Sequence, residues 1–363
     1  MRELDYIRSA LAAAAEHHES AVLCTVMSVQ GSVYRGVGAR MVIAGAGTTG
    51  AVSGGCLEAD LVARAPDVVA SGRAELARYD TRISDDVVLG LGLGCQGIID
   101  VLLEPLAGAT LEESIALYER IATRRDAVTV VTLVRSTDDV PVGTRVIVDA
   151  VGQVIEGDER VLARADDASC EIIRPATPLV ICGAGTDAIP LVRLAKQMGW
   201  HVTVVDHRAA FVTAERFPEA DVLVCVNLTS DETSLASRII IDERTMAVVM
   251  AHSAAHDRAY LHAVLDANAS YVGVLGPRRR TLELLGARVA DGDLPDAVHA
   301  PIGLDIGAES PDEIALAIVA EVVAVSAGRK GGLLRDHRGP IHDRGRGVRV
   351  LDSDAVVARR TGR

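Results

Sequence analysis

The sequence predicts an α/β protein of two domains: an N-terminal α/β domain followed by a C-terminal Rossmann-like doubly wound domain. Three observations predict it. Residues 178–206 read as a strand, a glycine turn, a helix and a second strand, the order of a nucleotide-binding βαβ unit. The unit begins near the middle of the chain, so another domain precedes it. A chain of 363 residues is long enough for two cores, at roughly 100 to 200 residues per domain. The expected boundaries are 1–170 for the first domain, 175–330 for the second and 331–363 for a basic tail. Ser169 to Pro178, with two prolines, is read as the linker.

In the βαβ unit, the apolar run Leu179 to Cys182 leads into Gly183, Ala184, Gly185, Thr186, Asp187 and Ala188. Gly183 suits a tight turn, Gly185 lets backbone approach a phosphate, and small Ala188 lets the helix pack closely on the strand. The strand Val202 to Val205 ends at Asp206, 23 residues after Gly183, where a carboxylate can accept from ribose hydroxyls. In an NAD(P)-dependent enzyme Asp206 would favour NAD, though the neighbouring Arg208 could tolerate a 2′-phosphate. The alternative is a turn kept for packing around an empty site or another phosphate ligand.

The first domain opens with an amphipathic helix, Leu4 to His17, and a strand, Ala21 to Val29. Residues 31–40 form a loop whose glycines frame Arg35 and Arg40. After the strand Arg40 to Ala44 comes a second glycine-rich stretch containing Ser53, Gly54, Gly55, Cys56 and Glu58, which runs into a helix over Leu57 to Arg64. Such a helix start is either an anion site of backbone amides or a turn capped by Ser53 and Glu58. A third glycine-dense loop, residues 89–97, holds Cys95 and Gln96. Glycines near Cys95 would leave its sulfur accessible and supply amides to a thiolate, against the alternative of inert burial. A helix from Thr110 with Glu113 as a capping box and the strands Ala127 to Leu133 and Arg145 to Val148 complete the domain.

In the second domain, the strand Ala247 to Met250 delivers Ala251 and His252 to the carboxyl edge of the sheet, where doubly wound folds bind ligands. His256 lies four residues on, but no further metal ligands accompany the pair. The strand Tyr271 to Leu275 ends in Gly276, Pro277, Arg278, Arg279 and Arg280. These arginines either fork onto a phosphate or form a solvated helix face. Ser310, Pro311 and Glu313 give a complete start to the helix Ile314 to Val325.

Composition excludes several function classes. The net charge is −13, and residues 328–363 carry ten Lys or Arg against four Asp. The rest of the chain is therefore more acidic still, a poor match for nucleic acid. Neither a basic, apolar leader nor an apolar run of membrane length is present, so a cytoplasmic chain without membrane insertion is expected. Cys24, Cys56, Cys95, Cys170, Cys182 and Cys225 are scattered without a C-x-x-C pair, which argues against a disulfide framework or iron–sulfur ligation. Lys196 and Lys330 are the only lysines. That removes the lysine-bearing phosphate loop and the Tyr–Lys pair of a hydride-transfer enzyme, leaving a dinucleotide fold without evident redox apparatus.

Taken together, G-S-V-Y-R-G-V-G-A-R-M, S-G-G-C-L-E, L-G-L-G-C-Q-G, G-A-G-T-D-A with D-H-R-A-A-F, V-V-M-A-H, Y-V-G-V-L-G-P-R-R-R and A-P-I-G-L-D-I-G-A-E-S-P-D-E-I-A resemble, in order, the XdhC/CoxI family of xanthine dehydrogenase accessory proteins. The resemblance implies a maturation factor rather than an enzyme. Such a factor takes molybdenum cofactor (molybdopterin) as cargo and assists its sulfuration with a cysteine desulfurase. It then hands the cofactor to a molybdenum hydroxylase apoenzyme of the xanthine or carbon monoxide dehydrogenase type; a homodimer is expected.

On that reading Cys95, with Gln96, approaches the molybdenum, and Cys56 is secondary. Gly183, Gly185, Thr186, Asp187, Ala188, Asp206, Ser53, Gly54, Gly55, Glu58, His252, Arg278 and Arg279 bind the cofactor or a nucleotide such as NAD(P). Tyr34, Gln96, Thr186, Ala251 and Pro277 depart from the family pattern, all in candidate site loops. The rival classes are an NAD(P)-dependent oxidoreductase and a scaffold that holds no cofactor.

Overall fold

The computed structural model describes residues 2–82, 96–135, 139–229, 234–289 and 293–338. The chain divides into two compact units between Pro175 and Ala176. Cys95 and the tail beyond residue 338 lie outside the described residues; for Gln96 only the backbone is described.

The first unit begins with α1 (Arg2–Glu16), followed by β1 (Ala21–Ser32), β2 (Arg40–Ala44), β3 (Gly47–Gly50), α2 (Glu58–Ser71), β4 (Glu75–Asp80) and β5 (Gln96–Leu106). These strands form one antiparallel sheet in the order β3-β2-β1-β5-β4. Alternation along β1 decides its two faces. Val22, Cys24 and Val26 pack with Leu61, Ala65 and Val68 of α2, while Ala21 and Leu23 pack with Leu4, Ile7, Leu11 and Ala14 of α1. Burial, aided by the nearby Glu104 and Glu58 carboxylates, pushes the Cys24 thiol up to about 12, so Cys24 serves as a small hydrophobe.

α3 (Ala109–Thr123), β6 (Val128–Leu133), β7 (Arg145–Val148), β8 (Val154–Gly157), the 3₁₀ helix Glu159–Asp167 and β9 (Ala168–Ile173) follow. Their strands make a second antiparallel sheet, β8-β7-β6-β9. Two partly buried ion pairs, Arg40 with Glu171 and Arg145 with Glu104, tie this sheet to the first. Breaking either would strand a charge away from water.

Three local expectations differ from the structure. Ala168–Ile173 is a strand paired with β6 from Val128↔Ile173 to Leu133↔Ala168, so the connection between the units is shorter than Ser169 to Pro178. Pro175 and Pro178 follow the strand, whose apolar Cys170, Ile172 and Ile173 precede them. α3 starts at Ala109, and the Thr110 hydroxyl bonds with Ala107, accepting its N–H and donating to its carbonyl. The expected capping box with Glu113 therefore does not form. α2 continues through Pro66 to Ser71, because Leu61, Ala65 and Val68 bury one face against the sheet despite the lost amide.

The second unit contains β10 (Pro178–Cys182), α4 (Ala188–Gln197), β11 (His201–Asp206), β12 (Val222–Cys225), β13 (Met246–Val249), α5 (Ala254–Asp266), β14 (Tyr271–Val274), α6 (Arg278–Leu285), β15 (Val298–His299) and α7 (Pro311–Ser326). All pairings are parallel, in the order β12-β11-β10-β13-β14-β15. This is the strand order of a doubly wound dinucleotide fold, with its switch point between β10 and β13. Leu191, Val192 and Ala195 of α4 and Ile318 and Val322 of α7 fill one face; Tyr260, Leu261 and Val264 of α5 and Leu284 and Leu285 of α6 fill the other. The capping box at α7 forms as read: Ser310 Oγ accepts from the Glu313 N–H, and Glu313 accepts from the Ser310 N–H. Among the described residues, no helix is long and apolar enough to cross a membrane.

Candidate functional site

The switch point of the second unit gathers several of the residues named from sequence. Gly183 has φ +128°, and a Cβ there would come within 2.5 Å of the Met250 backbone, so this glycine is required where the chain leaving β13 crosses the turn. Gly185 differs. A Cβ on it would meet only the His252 ring, at 3.7 Å, so the space above Gly185 is open to a ligand. Thr186 is exposed and Ala188 is buried against the sheet. His252 has positive φ, 57°, and its Nε2 lies 3.6 Å from Asp187 Oδ2. An imidazole and a carboxylate thus flank the open glycine.

His252 is held from behind. Asp257, fully buried on α5, accepts the Ala251 N–H at 2.8 Å with Oδ1, and its Oδ2 pairs with Arg280 Nη2 at 2.5 Å. Of the three consecutive arginines, Arg280 is therefore the one turned toward the sheet edge. Arg279 is 91% exposed and pairs with Glu283 one turn along α6, the solvated-face alternative; Arg278 lies 3.6 Å from Asp293. The sequence placed all three arginines at the sheet edge and took Arg278 and Arg279 as the contacts; it did not single out Arg280 or name Asp257. Nothing local could link the latter two, since they stand 23 residues apart on different helices.

Asp206 is fully buried. Its Oδ2 accepts the Ala184 N–H at 2.7 Å and Arg208 Nη2 at 2.8 Å; its Oδ1 accepts from the Arg208 N–H and Nε, each at 2.9 Å. Desolvation opposes the charge, but the bonds from Arg208 and Ala184 outweigh it and bring the carboxyl to about 2. Next to it the His207 and His256 rings stack with centroids 3.6 Å apart. Burial, reinforced by His256, lowers the pKa of His207 from its ordinary value.

In the first unit, the loops carrying Tyr34 and Gly54 and the start of β5 meet at one end of the five-stranded sheet. Gln96, the residue after Cys95, pairs with Ser32 at the end of β1, and Thr81 at the end of β4 bonds with Gly97 through both N–H and hydroxyl. A Cβ on Gly54 would lie 3.7 Å from the ring of the exposed Tyr34. The loops carrying Tyr34 and Gly54 and the start of β5 therefore lie together. An open groove of about 430 Å³ is lined by Glu3, Arg35, Val37, Glu171 and Arg174. Another, of about 340 Å³, is lined by Ser28, Arg78, Asp100, Arg135 and Cys170.

Of the two readings of the α2 start, the structure shows the capped turn. Ser53 Oγ accepts the N–H groups of Gly55, Cys56 and Leu57, each at 3.2 Å, and donates to Glu58. The Glu58 carboxylate takes the Val52, Ser53 and Leu57 N–H groups. Those amides are already satisfied by the protein's own oxygens. Burial would raise the pKa of Glu58, and the bonds from Ser53 instead lower it. Cys56 is half-buried, its sulfur 3.4 Å from Ser53 Oγ.

Comparison with known proteins matches this architecture. Residues 14–80 fit the model of the XdhC and CoxI family, and residues 179–322 fit the XdhC Rossmann domain. A probable xanthine dehydrogenase subunit of Bacillus subtilis (strain 168) is 34% identical over 326 residues, spanning 85% of this chain and 94% of the relative. The molybdenum cofactor insertion chaperone PaoD of Escherichia coli (strain K12) is 25% identical over 85% of this chain and 84% of its own. A crystal structure of a xanthine dehydrogenase from Bacillus halodurans superposes with a TM-score of 0.75 at 29% identity, covering 89% of this chain and 96% of that one. With a matching model in each unit and a relative alike over nearly its whole length, the chain belongs to the XdhC and CoxI family.

Proposed function

We propose that the protein is a molybdenum cofactor insertion chaperone that carries molybdopterin to a xanthine dehydrogenase-type or related molybdenum hydroxylase apoenzyme. The observation that carries this reading is the likeness along most of the chain to PaoD, whose name states that role. The chemistry of the first unit supports it. Glycine-rich loops beside grooves of about 340 and 430 Å³ offer backbone, hydroxyl and arginine groups to a phosphate-bearing pterin without enclosing it. A carrier must release its cargo, so a few charge-assisted bonds suit it better than a sealed cavity.

In this reading Cys95 and Gln96 meet the molybdenum end, and Cys95 holds or shields it during sulfuration by a cysteine desulfurase. The partner set is the apoenzyme, the desulfurase and a second copy of the chain, in the cytoplasm. The test is purification under anaerobic conditions from cells that make the cofactor, with molybdenum and oxidised pterin quantified against protein. Near-stoichiometric amounts of both are expected. Protein free of molybdenum and pterin but carrying NAD or NADP would favour the oxidoreductase reading, and protein free of all of them the scaffold.

A further inference from the structure

The rim behind β11 does not suit the ligand group that its position suggests. A doubly wound fold presents the acid at the end of its second strand to the 2′- and 3′-hydroxyls of a ribose. Asp206 stands there with its acceptor capacity spent. The Ala184 N–H, the Arg208 N–H and two guanidinium nitrogens of Arg208 occupy it, and His207 Nδ1 lies 3.2 Å away. A carboxylate offers about four lone-pair sites, and four donors hold these. A ribose hydroxyl could enter only by displacing one of them.

Around this closed carboxylate the surplus charge is positive. Arg208 cancels Asp206, packs over the Phe211 ring at 3.9 Å, and keeps donors free of the pair. Arg216 lies over the same ring at 4.9 Å, and its Nη2 donates to the Ala184 carbonyl at 3.2 Å, which seats it against the glycine turn. Its Nε is buried without a hydrogen-bond partner among the described residues. One uncompensated guanidinium and a second with free donors, both resting against the Phe211 ring, suit a doubly charged, three-oxygen group.

We infer that the β11 rim is a phosphomonoester site, held by Arg208 and Arg216, and not a ribose-diol site. Two sources carry that group: the 2′-phosphate of a phosphorylated adenine dinucleotide and the terminal phosphate of the pterin cargo. The first is independent of the proposed carrier role; the second rests on it.

The test uses the full-length chain in titration calorimetry at low salt with 2′-AMP, adenosine, NADP and NAD. It is paired with measurement of pterin retained by wild type and by Arg216→Ala. If the source is a nucleotide, NADP and 2′-AMP bind at least tenfold more tightly than NAD and adenosine, and Arg216→Ala loses that preference while unfolding as wild type does. If the source is the cargo, Arg216→Ala retains less pterin, and 2′-AMP displaces pterin from the wild type. The inference is overturned if NAD binds as tightly as NADP. It is equally overturned if no probe binds and pterin retention is unchanged in Arg216→Ala. A failed carrier role would show separately, as the absence of molybdenum and pterin from wild type.

Discussion

Gly183 and Gly185 are two residues apart in one fingerprint and do different work. Gly183→Ala should cost about 2 to 4 kcal/mol in urea unfolding, because both its φ of +128° and the Met250 backbone forbid a Cβ. Gly185→Ala should change stability by less than about 0.5 kcal/mol and weaken ligand binding instead, since the added carbon projects into open space beside His252. Equal destabilisation by the two would remove Gly185 from the binding surface. Among the thiols, Cys95→Ser should lower pterin retention at least severalfold with an unchanged unfolding curve. Cys56→Ser should lower it less, because the Cys56 sulfur already rests against Ser53. Retention by Cys95→Ser equal to wild type, read by pterin fluorescence after oxidation, would free Cys95 from any role at the molybdenum. Gly183 and Gly185 were legible because a fingerprint is local. Arg40 with Glu171 was not, since 131 residues separate the partners and only folding brings them together.

At the scale of elements, the sequence signalled best where pattern and capping agreed. α7 has Ser310, Pro311 and Glu313 in order, and the box forms. The parallel strands of the second unit were legible as apolar runs behind glycine turns. β9 was not, because its intermediate positions face partly outward and two prolines follow it closely. The α2 start was legible only as two alternatives. Whether Glu58 turns back onto the amides of residues 52–57 depends on its rotamer, which sequence does not reveal. The stacked imidazoles that join the loop after β11 to α5 make a prediction about pH. Burial and His256 depress the pKa of His207 below 6.5, so the unfolded chain takes up a proton before the folded one does. Stability is then lost as pH falls below about 6.5. His207→Phe keeps the stack without the titration, so its melting temperature should fall less than that of wild type between pH 7.5 and 5.5. Parallel pH profiles would contradict this.

At the scale of the whole molecule, each unit contributes a different kind of surface. The first offers glycine-rich loops and grooves on an antiparallel sheet, with the position after Cys95 fixed by the Ser32↔Gln96 pairing. The second offers an open glycine turn, a His252–Asp187 pair and a rim of guanidinium groups on a parallel sheet. A surface that binds through a few charged contacts can give its cargo away. The most direct measurement of that claim is activation of a xanthine dehydrogenase-type apoenzyme by the purified, cofactor-loaded chain, followed as purine oxidation. The carrier role predicts activation faster than with an equal amount of free molybdopterin, together with loss of pterin from the carrier in step with the activity gained. Activation no faster than with free cofactor, or activity that appears while the chain keeps its pterin, would contradict it.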